Sequence, residues 1–197
     1  IVLCVTGSVA AVQSQEIARE LMRHGAEVLP VMSQMAQKIV HPYLLEWATG
    51  NPVVTELTGK IEHIAVTESG KNKADLILVA PATANTISKI ACGIDDTPVT
   101  SVVSAGFGSG IPIVVVPAMH ESMYRHPILL SNIDKLKDLG VQFLEPKLEE
   151  GKAKIPTTGE IFEAVTQKLT SRKDFAGMKL LVTAGPTQEH IDPIRIM

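Results

Sequence analysis

Four short segments place hydroxyl, amide, thioether and imidazole groups where apolar runs come to an end. They are TGSVAA (residues 6–11), MSQMA (32–36), APATANT (80–86) and PAMHESM (117–123). In the third, Thr83, Asn85 and Thr86 gather at the start of a helix and suit a phosphate or the polar edge of a heterocycle. Helix capping explains one of the three, and two alanines keep the surface beside them open. Gly7 and Ser8 form a strand-to-helix turn whose N–H groups and helix dipole favour an anion, although such a turn also serves with no ligand at all. Ser33 either reaches the same anion or caps its own helix. In PAMHESM, Met119 and Met123 flank His120. The methionines either cap the core or form an adaptable wall for a ligand. His63, next to Glu62 in a loop-like stretch, offers acid–base chemistry if the fold brings it to a reacting proton, and is otherwise a solvated side chain. His24, His41, His126 and His190 lack metal-ligand spacing, so no metal site is expected.

Groups so placed need strands that stop in register. Short β-branched runs alternate with helical patterns, which predicts an α/β fold: a three-layer, Rossmann/flavodoxin-like open parallel sheet with helices on both faces. Strands are expected over 1–6, 27–32, 75–80, 112–116 and 141–144, with Pro30 weakening the second. Helices are expected over 82–91, 96–105 and 127–139, and from Thr157 to about Leu169, where Thr157 and Glu160 form a capping box. KLEEGKAK, residues 147–154, reads as a polar mobile loop. In such sheets ligands bind beyond the carboxyl ends of the strands, where all four segments would lie. TGSVAA is not a GxGxxG loop, so a dinucleotide pocket is not indicated.

Composition narrows the class. Hydrophobic residues make up 45% of the 197-residue chain and charged ones 20%, the balance of a protein with a buried core. A net charge of −3 without a basic stripe argues against nucleic acid. No apolar run approaches the roughly 20 residues that cross a bilayer. Cys4 and Cys92 read as free thiols of a cytoplasmic protein. The linker-like TSRKDFAG runs into LLVTAGPTQEHIDPIR, a strand and glycine turn that cannot bury itself and either pairs with the main sheet or opens a further domain, the reading favoured. The expected division is a domain at 1–170, a linker at 171–177 and the truncated start of another domain at 178–197.

Taken together, the segments resemble the flavin-dependent cysteine decarboxylases. PATANT fits the family's Pro-Ala-Ser/Thr-Ala-Asn-Thr motif, PAMHESMY fits Pro-x-Met-Asn-x-x-Met-Trp at Pro117, Met119 and Met123, and His63-Ile64 fits its active-site histidine. TGSVAA and KIACGIDD are similar to its flavin loop and to the segment after the asparagine motif. The tail resembles the opening of a phosphopantothenate–cysteine ligase, as in the branch of the family that is fused to one.

The resemblance implies FMN-dependent decarboxylation of 4′-phosphopantothenoylcysteine to 4′-phosphopantetheine, in coenzyme A biosynthesis. Oxidation of the substrate CH₂–SH group to a thioaldehyde gives the departing electron pair a sink, and the resulting enethiol is then reduced. It implies a flavin site at Gly7, Ser8, Ser33, Thr83, Asn85, Thr86, Ser104, Ala118 and Met119. His63 would be the acid–base group, and Met119, His120 and Met123 a substrate clamp; apart from the resemblance, Lys152 or Lys154 is a candidate either to bind the substrate phosphate or to donate a proton. The resemblance also implies a homo-oligomer, a trimer or a multiple of one, in which the histidine reaches a neighbour's flavin. Two departures stand out: His120 and Tyr124 replace asparagine and tryptophan, and KLEEGKAK lacks the flap cysteine that protonates the enethiol. The competing expectations are a non-catalytic regulator of the same fold and a flavin prenyltransferase.

Overall fold

The computed structural model describes residues 1–68, 73–149, 151–170, 178–179, 181–183 and 185. Its strands are β1 (Val2–Val5), β2 (Leu29–Met32), β3 (Ile77–Ala82), β4 (Ile113–Pro117), β5 (Met119–His120), β6 (Gln142–Phe143), β7 (Lys147–Glu149) and β8 (Lys152–Lys154). The helices are α1 (Ser14–Arg23), α2 (Gln34–Gln37), α3 (Pro42–Thr49), α4 (Glu62–Ala65), α5 (Ala84–Cys92), α6 (Pro98–Gly108), α7 (Glu121–Tyr124), α8 (Pro127–Asp138) and α9 (Thr158–Leu169).

Five strands form one sheet in the order β2-β1-β3-β4-β6, every neighbouring pair parallel. Strand alternation splits its side chains between two cores. Val2, Cys4, Ile77, Val79, Ile113 and Val115 pack under α5, α6 and α8. Leu3, Val5, Leu78, Ala80, Val114 and Val116 pack under α1, α3 and α9. With both faces covered, the strands read as continuous apolar runs, and the three expected layers are present.

Pro30 lies within β2 after all. β2 is an edge strand, and its outer side meets only a bridge to Val54, which accepts from Met32 and donates to the Pro30 carbonyl. The missing N–H of Pro30 therefore faces away from the sheet. β3 runs two residues past its expected end, through Pro81 and Ala82, and α5 starts correspondingly later behind its N-cap Thr83. α6 begins at Pro98, behind a Thr97–Thr100 capping box, rather than at Asp96. The capping box at Thr157 and Glu160 is formed as expected.

KLEEGKAK is not a loop. β7 and β8 pair antiparallel, with Lys147 opposite Lys154 and Glu149 opposite Lys152, and Gly151 turns the chain at φ +69°. β8 also pairs with β5, placing Met119 opposite Ala153 and His120 opposite Lys152, so part of the PAMHESM segment is a strand of a second sheet of order β5-β8-β7. The expected linker at 171–177 lies outside the described residues, as does most of 178–197. Among the described residues no helix is long and apolar enough to cross a membrane. Cys4 is a buried free thiol and Cys92 an exposed one; burial pushes the Cys4 thiol up to about 12.

Candidate active site

From β1 the chain steps outward to β2 in one direction and to β3 in the other, so the strand order reverses between β1 and β3. Such a reversal leaves a crevice beyond the carboxyl ends of the two strands. Here it is a cavity of about 460 Å³.

Local bonds hold its rim. Thr6 Oγ1 donates to the Pro81 carbonyl at 2.7 Å and accepts the Thr83 N–H at 3.0 Å, fastening the end of β1 to the end of β3. Thr83 caps α5 by accepting the Thr86 N–H at 3.3 Å, and its hydroxyl meets that of Thr86 at 3.1 Å. Ser8 caps the 3₁₀ turn Val9–Gln13, accepting from Ala10, and Ser33 caps α2, accepting from Ala36. A Cβ on Gly7 would lie 2.4 Å from Met35 Cβ, so the β1 turn reaches α2 only because that residue is glycine.

Nine expected residues share this wall: Gly7, Ser8 and Ser33; Thr83, Asn85 and Thr86; and Ala118, Met119 and Met123. Gln34, Met35, Ala84, Lys89 and Thr97 also line it and were not singled out from the sequence. Helical spacing held the signal for one of them, because Lys89 follows Asn85 by four residues and Thr86 by three, on the same face of α5. Hydroxyls and the first turns of α5 and α6 form a polar side of the cavity. Met35, Met119 and Met123 form an apolar one. A phosphate ester joined to a flat ring fits both.

Among the described side chains, Ser104, His63, His120 and Lys154 are not on this wall. Ser104 is half-buried on α6. His120 points the other way from Met119, as neighbours in a strand do. Its Nδ1 accepts the Ser122 N–H at 3.3 Å and meets Ser122 Oγ at 2.8 Å, capping α7. Lys152 and Lys154 belong to the β7–β8 hairpin.

His63 lies on the one-turn helix α4, not in a loop, and α4 packs against α6. The turn before it is unusual: Ile61 has φ +48°, a conformation that β-branched residues rarely adopt. Glu62 braces this turn, its carboxylate accepting from the hydroxyl and the N–H of Thr58. Those bonds hold the Glu62 carboxyl down at about 2. His63 Nδ1 is a buried side-chain nitrogen without a hydrogen-bond partner among the described residues. Tyr124 donates to Glu145 at 2.6 Å; burial first, and then this carboxylate, raise the phenol above its ordinary range.

Fold and site together define a flavodoxin-like α/β protein with a cavity at its switch point. The chain belongs to the Flavoprotein family, whose model matches residues 1–170. Residues 175–197 match the DNA/pantothenate metabolism flavoprotein C-terminal domain. The chain is 61% identical over 195 residues to the coenzyme A biosynthesis bifunctional protein CoaBC of Thermococcus kodakarensis, covering 99% of this chain and 48% of that protein. It thus spans about half the length of the curated relatives it matches. Among solved structures it is similar to the peptidyl-cysteine decarboxylase EpiD, with a TM-score of 0.74, 28% identity and coverage of 84% of this chain and 96% of that one. It is also similar to the FMN-dependent cysteine decarboxylase SpaF, with a TM-score of 0.73, 28% identity and coverage of 86% and 94%.

Proposed function

We propose that the chain binds FMN and decarboxylates 4′-phosphopantothenoylcysteine to 4′-phosphopantetheine, a step of coenzyme A biosynthesis in the cytoplasm. The observation that carries this reading is the switch-point cavity, whose wall gathers nine residues of the decarboxylase-like motifs in a chain 61% identical to a CoaBC protein. Residues 1–170 are read as the decarboxylase domain, 171–177 as a linker and 178–197 as the start of a ligase-like domain.

A bound flavin supplies a two-electron acceptor for the substrate CH₂–SH group and, after CO₂ has left, the donor that restores it. The chain's own residues bind and orient. Ser8, Ser33, Thr83 and Thr86 offer hydroxyls at helix and turn starts where negative charge is favoured. Met35, Met119 and Met123 close on apolar surface, and the hairpin carrying Lys152 and Lys154, which pairs edge to edge with β5 at Met119 and His120, is read as the substrate cover.

His63 is the acid–base group of this reading, and its buried Nδ1, which has no hydrogen-bond partner among the described residues, is the observation that singles it out. It is not on the wall of its own cavity, which supports a trimer in which each His63 serves a neighbour's flavin. Met35 and Met123, on the wall and 55% and 51% exposed, are surfaces that a neighbour would cover.

The test is anaerobic incubation of the FMN-reconstituted chain with 4′-phosphopantothenoylcysteine, followed by mass spectrometry. 4′-Phosphopantetheine is the expected product. A product two hydrogens lighter would mean that decarboxylation occurs and reduction, which lacks a flap cysteine here, does not. No loss of CO₂ from flavin-loaded protein would overturn the reading. His63→Asn is expected to slow turnover by about 10²–10⁴-fold, the contribution of a positioned acid–base group, with FMN uptake unchanged.

A further inference from the structure

We infer that Lys89 is the phosphate-binding cation of the switch-point cavity, held by Asp96 and released to a phosphate monoester when one enters. This rests on the proposed function, in which both the cofactor and the substrate carry such a group.

The rim is rich in donors but poor in charge. Ser8 and Ser33 each use an oxygen lone pair to accept an N–H from their own turn, which leaves the O–H proton to donate outward. Thr83 pairs with Thr86, and Thr97 with Thr100. All these groups are neutral, whereas a phosphate monoester carries close to two negative charges near neutral pH. Among the described residues that line this cavity, Lys89 is the one cation. It lies one turn beyond Asn85 and Thr86 on the same face of α5, within reach of a long and flexible side chain.

Its present partner is easily given up. Lys89 Nζ meets Asp96 Oδ2 at 2.5 Å, and Asp96 lines an adjoining pocket with Asp95 and Glu56. The Asp96 side chain is 51% exposed and the Lys89 side chain 23%. Water therefore solvates the aspartate if the lysine leaves, and a pair with one partner exposed is weakened by that solvation. A phosphate in a cavity already supplied with hydroxyls and helix starts forms the stronger charge-assisted contact. Nor does α5 need Lys89 at its carboxyl end, because Lys135 Nζ donates to the Ala91 carbonyl there at 2.6 Å. The ion pair is then a resting state that keeps the cation on the rim in the absence of ligand.

The experiment compares the 197-residue chain with its Lys89→Met, Lys89→Arg and Asp96→Asn variants, titrated with FMN and with riboflavin and read by flavin fluorescence. Lys89→Met is expected to weaken FMN about tenfold and riboflavin less than twofold, the order of one charge-assisted hydrogen bond. Lys89→Arg retains most of the preference for FMN, and Asp96→Asn, which frees the lysine, increases it. If FMN affinity holds in Lys89→Met while KM rises for the phosphorylated substrate and not for its dephosphorylated form, the substrate supplies the phosphate and the inference stands. Uptake of both flavins with both ratios unchanged overturns the role of Lys89 alone. Failure of the unmodified chain to take up either flavin overturns the proposed function, and the role of Lys89 with it.

Discussion

Two glycine turns, one on the cavity wall and one in the β7–β8 hairpin, differ in what they do. Gly7 sits at the end of a buried strand, where the chain must pass α2 so closely that a Cβ would meet Met35 Cβ at 2.4 Å. Gly151 turns the outer hairpin at φ +69°, and the nearest atom a Cβ there would meet is His120 Nε2 at 3.8 Å. The first is glycine for lack of space, the second for backbone conformation. The same contrast runs through the whole site. The rim is fixed by bonds into the sheet, whereas the hairpin joins the rest of the chain by backbone pairing to the two-residue β5 and by the Lys147–Glu160 ion pair.

The sharpest test of the contrast substitutes alanine at both turns. Gly7→Ala is expected to destabilise by about 3 kcal/mol, at the upper end of overpacking costs, because the colliding atom is a Cβ and not the flexible end of a side chain. FMN uptake should fall with it. Gly151→Ala is expected to cost about 1 kcal/mol, the strain of a left-handed conformation without a clash, and to leave FMN uptake unchanged. Chemical denaturation and flavin fluorescence of both variants measure this; equal losses would remove the distinction between rim and cover.

A smaller effect separates the rim's bonds from its shape. Thr6→Val keeps the volume but removes the acceptor of the Thr83 N–H and a donor to the Pro81 carbonyl. Thr6 is buried, so a loss of about 2 kcal/mol is expected from the unsatisfied group. FMN should bind more weakly as the ends of β1 and β3 separate. A variant as stable as the parent would mean that backbone pairing alone sets the crevice.

Sequence could be read where local rules and burial agree. The apolar runs of β1, β3 and β4 are covered on both faces, so their ends, and the hydroxyls just beyond them, follow from composition and turn chemistry. Eight cavity residues were legible for that reason, whereas Ala118 was expected only from the family resemblance. Lys89 and Thr97 were not, since each has a local role, in an ion pair and a helix cap, that hides a second one. The hairpin was misread because its polar composition suggested a loop. Its alternation about Gly151, with Ala153 buried, and its pairing to β5 some thirty residues earlier in the chain outweigh composition. His63 was legible as a group able to do chemistry but not as to place, because distance from the cavity is a tertiary property.

The smallest expected effect concerns the outer attachment of the hairpin. Lys147 Nζ meets Glu160 Oε1 at 2.9 Å, tying β7 to the first turn of α9, while the same carboxylate accepts from Thr157. The lysine first, and then the Thr157 bonds, hold the Glu160 carboxyl down at about 2 from its ordinary 4.5. A carboxyl lowered by folding contributes stability above its unfolded pKa, and that contribution is lost as pH falls through the folded value. The contact is therefore complete near pH 5 and should weaken between about pH 4.5 and 2. Because the pair is exposed, the effect should be local, seen as faster amide exchange in β7 and β8, after correction for intrinsic rates, with the central sheet unaffected. Glu160→Gln keeps a capping side chain but removes the charge, so it should abolish the pH dependence of that exchange. If the hairpin instead loosened in step with β1 and β3 across this range, rim and cover would be one cooperative unit, and the contrast drawn from the two glycines would not extend to their motions.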